Sequence, residues 1–81
     1  MDCIKVGRFI AERRKELGYT QNDVAEKPGL SDKAVSKWER GLSLPDITLF
    51  GEISNLLKCS ISELMDGKIH LFNSSKILNL V

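Results

Sequence analysis

The chain has 81 residues, 42% of them hydrophobic and 28% charged, and a formal net charge of +1. That length supports one modest core rather than two domains, and that mixture suits a globular domain rather than a disordered segment. No run approaches the ~20 apolar residues of a membrane span and the N-terminus is too polar for a signal peptide, so a cytoplasmic protein with no membrane partner is expected.

Ile4, Val6, Phe9, Ile10, Arg13 and Leu17 recur at spacings that put one face of a first helix inward, and Gly18 can turn left-handed to end it at about Leu17. Thr20 and Asp23 form a weak capping box for a short second helix that carries Val24 and Ala25 inward. Pro28 and Gly29 stop it. Ser31 suits the N-cap of a third helix with Ala34, Val35 and Trp38 on one side, Lys33, Lys37 and Arg40 largely on others, and Gly41 at its end. After a tight link over Ser43 to Pro45, Asp46 can cap a fourth helix through Ile47, Phe50, Ile53, Leu56 and Leu57. Ser60 and Glu63 form a clear capping box for a short fifth helix with Ile61, Leu64 and Met65.

Five short helices joined by short links make a compact all-α globule. A short helix, a turn containing Gly29 and a second short helix with a basic outward side give the helix-turn-helix arrangement, whose second member enters the major groove of a duplex. Residues 1–67 are assigned to this domain and 68–81 to a C-terminal tail. Ile69 and Leu71 alternate there, Asn73 to Ser75 suit a turn, and Ile77, Leu78, Leu80 and Val81 are apolar. Such a tail packs on the core, pairs with a second subunit as a dimerisation segment, or is a truncated linker, and the sequence does not rank the three.

Charge is distributed unevenly: residues 1–20 carry +2, residues 21–45 balance, and residues 46–81 carry −1. Any positive face therefore comes from folding, with the first half supplying it. Cys3 and Cys59 lack a CxxC spacing and His70 has no ligands clustered around it in sequence, so no metal and no cofactor is expected. Cys59 suits burial as a thiol. Asp23, Glu26, His70 and the other titratable groups form no nucleophile, base and oxyanion set, which argues against an enzyme.

The stretches Val6-Gly7-Arg8-Phe9-Ile10, Arg13 to Gln21, Val24 to Lys27, Gly29-Leu30-Ser31, Val35 to Gly41, Leu44 to Ile47 and Ser60 to Leu64 together resemble the Cro/CI-type helix-turn-helix family, also called the xenobiotic-response-element type. The ordered set covers roughly three quarters of the chain, from about Val6 to Gly67. The resemblance implies a five-helix lambda-repressor-like domain, a double-stranded DNA operator as partner, a homodimer, and transcriptional regulation, commonly repression. Three positions depart from the family pattern. Pro28 replaces a bulky aliphatic residue, removes an amide donor and disfavours helical angles at Lys27, which should cut the second helix short near Glu26. Gly51 lies inside the fourth helix at a cost of about 1 kcal/mol relative to alanine, and Lys58 replaces a C-capping glycine at a strain of about 1 kcal/mol.

The DNA-binding residues follow from position and resemblance together. Gln21, at the start of the second helix, matches a glutamine that donates to a phosphate and braces a neighbouring side chain of the third helix. Ser31 can cap the third helix and approach a phosphate. Asp32, Lys33, Ser36 and Lys37 match base-reading and nearby backbone-contacting positions: a lysine can donate to guanine O6 and N7, and Asp32 can accept from cytosine N4. Two lysines and an aspartate also suit an ordinary solvated face. Arg40 and Ser43 follow the recognition helix and can hold the phosphate backbone. Lys5 and Arg8 are peripheral. The family pairs the residues matching Arg14 and Glu39, which makes that pair structural, and Trp38 is read as core. The competing reading is a protein-interaction module or antitoxin-like protein that binds a protein partner, motivated by the near-neutral charge, Asp32 and the apolar tail.

Overall fold

Asp2 starts the first helix, α1 (Cys3–Glu16), by accepting the backbone N–H groups of Ile4 at 2.9 Å and Lys5 at 3.2 Å with one carboxylate oxygen. The computed structural model describes residues 1–70, so the readings made for Leu71, for the turn at Asn73 to Ser75 and for the apolar end from Ile77 to Val81 lie outside the described residues. Helices α2 (Gln21–Glu26), α3 (Asp32–Glu39), α4 (Phe50–Leu56) and α5 (Ile61–Asp66) follow, with one 3-10 turn at Ile47–Leu49 leading into α4. Among the described residues the architecture is all-α, as expected. None of these helices is long and apolar enough to cross a membrane.

Local signals account for most boundaries. Thr20 and Asp23 form a complete reciprocal capping box, with Asp23 N–H donating to Thr20 Oγ1 at 3.0 Å and Thr20 N–H donating to Asp23 Oδ2 at 2.8 Å. The Ser60 and Glu63 box is complete as well, and the second oxygen of Glu63 accepts His70 N–H at 2.8 Å. These backbone donors from Ser60 and His70 hold the Glu63 carboxyl below the usual carboxylate range. The chain thus stays tied to α5 for three residues beyond Gly67.

All five helices among the described residues close in one way. A left-handed residue follows the last turn, its N–H reaches back three residues, and the next N–H reaches back five, as in Leu30 N–H to the Ala25 carbonyl at 2.9 Å. Glycine holds that position four times, and Lys58 holds it after α4 with φ of 56°. The helix ended by Gly29 stops at Glu26, as Pro28 implied, but Lys27 keeps right-handed helical angles of −60° and −49°. The bonds made by Gly29 and Leu30 hold that last turn together and outweigh the bias imposed by the following proline.

One core gathers Val6, Phe9 and Ile10 of α1, Val24 and Ala25 of α2, Val35 and Trp38 of α3, Phe50, Ile53 and Leu57 around α4, and Leu64 of α5. Cys59 is half-buried against it, and burial first, with the nearby Glu63 charge second, pushes its thiol up to about 11, which keeps it protonated and makes it a packing group. Several expected inward positions point outward instead. Ile4 is 60% exposed, Ile47 61% and Ile61 47%, each in the opening turn of its element, although Ile4 lies against Gly41 at the end of α3. The segment from Asp46 also differs from the expected continuous helix: Asp46 caps it through Thr48 N–H at 2.9 Å, but its first turn is 3-10.

Two long-range features join the helices. Gly7 faces α3 so closely that a Cβ placed there would lie 1.9 Å from the Trp38 carbonyl oxygen. Only glycine lets the two backbones touch at this point. Arg13, read from sequence as part of the apolar stripe, instead reaches across to α4. Its Nε and one terminal nitrogen donate to the Leu57 carbonyl at 3.1 and 2.8 Å, and the latter also reaches the Lys58 carbonyl at 3.2 Å, placing a cation on the helix's negative end.

Candidate nucleic-acid interface

The helix-turn-helix unit is α2, the turn from Lys27 to Ser31, and α3. Val35 and Trp38 are buried, and their contact with α1 fixes how α3 is rotated. That rotation sends Asp32, Lys33, Lys37 and Arg40 to solvent, together with Ser31 just before them. Ser36 is half-buried, and its carbonyl accepts the Arg40 N–H at 3.0 Å and the Arg40 Nε at 3.3 Å, so the guanidinium lies back along the helix. Ser43 is half-buried in the link beyond Gly41.

Ser31 occupies the N-cap backbone position with φ of −95° and ψ of 161°, and its carbonyl accepts Ala34 N–H at 3.1 Å, but its hydroxyl makes no capping bond. The expected side-chain cap is therefore not formed. Ser31, Asp32 and Lys33 are all exposed, so water can serve the first-turn amides without the desolvation cost that makes a cap necessary in a buried helix end. The hydroxyl and those amides lie on the outer face.

Gln21, the first residue of α2, donates from Nε2 to Glu39 Oε1 at 3.0 Å. The brace to α3 expected of this glutamine is thus present, and Glu39 is the side chain braced. The same carboxylate is gripped from behind by Arg14, whose Nε and second terminal nitrogen lie 2.6 and 3.0 Å from its two oxygens while the remaining nitrogen donates to the Tyr19 carbonyl at 2.9 Å. Only 13% of the Arg14 side chain and 8% of the Glu39 side chain are exposed. The bond to Glu39 raises the guanidinium's affinity for its proton. For Glu39, burial favours the neutral form, but the bonds from Arg14 and Gln21 outweigh it and hold the carboxyl below its usual range. The pair is ionised, and it links α1, the entry to α2 and the end of α3.

A charged outward face on a short helix, held by a buried side and preceded by a second short helix across a left-handed turn, defines a helix-turn-helix scaffold. A family model described as helix-turn-helix matches residues 10–64. The chain is 36% identical over 64 residues to the HTH-type transcriptional regulator SinR of Bacillus subtilis, covering 78% of this chain and 58% of that protein. It is 36% identical over 64 residues to the HTH-type transcriptional regulator DicA of Escherichia coli, covering 79% and 47%. It is 32% identical over 73 residues to Repressor protein C2 of Salmonella phage P22, covering 90% and 34%. The chain belongs to the Cro/CI-type helix-turn-helix family of transcriptional regulators. That family consists of DNA-binding regulators rather than enzymes. The chain spans about half the length of the two bacterial relatives and about a third of the phage protein.

Proposed function

We propose that this chain binds double-stranded DNA in a sequence-specific manner and represses transcription by occupying its operator, with α3 in the major groove. The observation that carries this reading is the division of α3 into a buried side, Val35 and Trp38, and an exposed side with Asp32, Lys33, Lys37 and Arg40. Lys33 and Lys37 donate to guanine edges, Asp32 accepts from cytosine and discriminates against other bases, and Ser36 lies beside them. Gln21, Ser31, Arg40 and Ser43 hold phosphates and fix the register.

One such module offers a small interface with few base contacts, so two copies act as a homodimer on a two-fold-related site, their α3 helices about 34–36 Å apart along the duplex. The dimeric part is supported by Ile61, Met65 and Ile69, which remain exposed on and just after α5. The bacterial relatives suggest the cytoplasm as the place of action.

The test is selection of bound sequences from randomised duplex DNA, repeated with Lys33→Ala and Lys37→Ala. A two-fold-related consensus that weakens or changes in either variant is expected. Salt-dependent binding without sequence enrichment would leave a backbone binder. Capture of a protein partner with no DNA mobility shift even at low salt would favour the interaction-module or antitoxin-like reading instead.

A further inference from the structure

We infer that Glu39, backed by Arg14, is a positioning residue that sets the side-chain amide of Gln21 for its contact with a DNA phosphate, an inference that rests on the DNA-binding reading above. Glu39 closes α3 and Gln21 opens α2, so the 3.0 Å bond between them joins the far ends of the helix-turn-helix unit. Arg14 fastens both sides of that bond. Two of its nitrogens hold the Glu39 carboxylate, and the third holds the carbonyl of Tyr19, two residues before Gln21.

The chemistry of the acceptor gives this arrangement its consequence. An ionised carboxylate only accepts hydrogen bonds, so the Gln21 amide must turn its NH2 group, not its carbonyl, toward Glu39. A phosphate also only accepts. With one N–H committed to Glu39, the second N–H of the same nitrogen remains for a phosphate, and the amide cannot flip to present its oxygen without setting two acceptors against each other. Arg14 adds a second effect: it neutralises a carboxylate that would otherwise stand beside the phosphate anchor and repel it. The pair read from sequence as structural therefore also acts on the ligand, through Gln21.

Binding to a selected operator is measured for the unmodified chain, Gln21→Ala, Glu39→Gln and the double variant, over a range of salt. Gln21→Ala is expected to weaken binding about tenfold, the size of a lost hydrogen bond to a charged group. It should leave the salt dependence unchanged, because an uncharged donor releases no counterion. Glu39→Gln is expected to weaken binding several-fold in the unmodified background and to have almost no further effect once Gln21 is alanine, since its action passes through that side chain. Equal losses from Glu39→Gln in both backgrounds would overturn the inference while leaving the DNA-binding reading intact, whereas an unmodified chain that selects no sequence would overturn both. If Glu39→Gln melts below the assay temperature, the side-chain Nε2 order parameter of Gln21 in the unmodified protein decides. A value above about 0.6 supports a fixed amide and a lower one overturns it.

Discussion

The half of the molecule made by α1, α2 and α3 shares a core with the half made by α4 and α5, yet the two are finished to different tolerances. In the first half the backbones of α1 and α3 touch at Gly7 and Trp38, glycine closes every helix, and the Arg14, Glu39 and Gln21 network ties the three elements. In the second, Gly67 also packs against the Lys5 backbone, but a lysine stands in the left-handed closing position after α4, and Gly51 sits in the first turn of α4 with nothing outside its own helix near where a Cβ would be. The geometry that presents α3 is over-determined, while α4 and its closing turn retain slack. Substitutions should therefore damage the first half and can improve the second.

Gly7→Ala should have the largest effect. A methyl group 1.9 Å from the Trp38 carbonyl oxygen forces α1 and α3 apart, and a loss of about 3 kcal/mol or more in thermal or urea unfolding is expected. An unchanged melt would show that the contact between the two backbones yields without cost.

Arg14→Ala comes next, at about 3 kcal/mol, because it leaves the Glu39 carboxylate largely buried without its counter-charge. This variant also separates the halves by pH. Glu39 and Glu63 both have their carboxyls held below the ordinary range, so each contributes stability that is full above its unfolded value and is lost as pH falls through the folded one. Removing Arg14 should take away the Glu39 part of the acid destabilisation and leave the part due to Glu63, whose partners are backbone N–H groups of Ser60 and His70. Unfolding followed between about pH 7 and about pH 3 measures it. An acid limb of unchanged depth in the variant would place the proton uptake elsewhere.

The smallest effects should be gains. Gly51→Ala adds a methyl group into open space in a helix, and Lys58→Gly relieves the positive φ, so each is expected to stabilise by about 0.5–1 kcal/mol in thermal melts. A loss in either would mean that the second half is as tightly specified as the first.

Boundaries set within a few residues were legible in the sequence: the capping boxes at Thr20 and Ser60, the stop after Glu26, and the strained Lys58 are all local events. Burial was legible where both sides of a helix are decided by its own period, as for Val35 and Trp38. What escaped depends on partners distant in the chain. Periodicity could not tell that Ile4 and Ile61 stay exposed, that Arg13 ends on the Leu57 carbonyl, or that the α1 and α3 backbones touch at Gly7. The same holds within the interface. That Gln21 braces α3 followed from resemblance, but Glu39 as the braced side chain required the fold, and the unused Ser31 hydroxyl reflects solvent access that sequence does not encode.

Lysine reactivity tests the central claim directly, because both halves carry exposed lysines. Acetylation is mapped residue by residue on the free chain and on the chain bound to a selected duplex. Lys33 and Lys37 should become protected while Lys58 reacts as it does in the free protein. Protection of Lys58 with Lys33 and Lys37 left reactive would contradict the assignment of α3 as the DNA-facing helix.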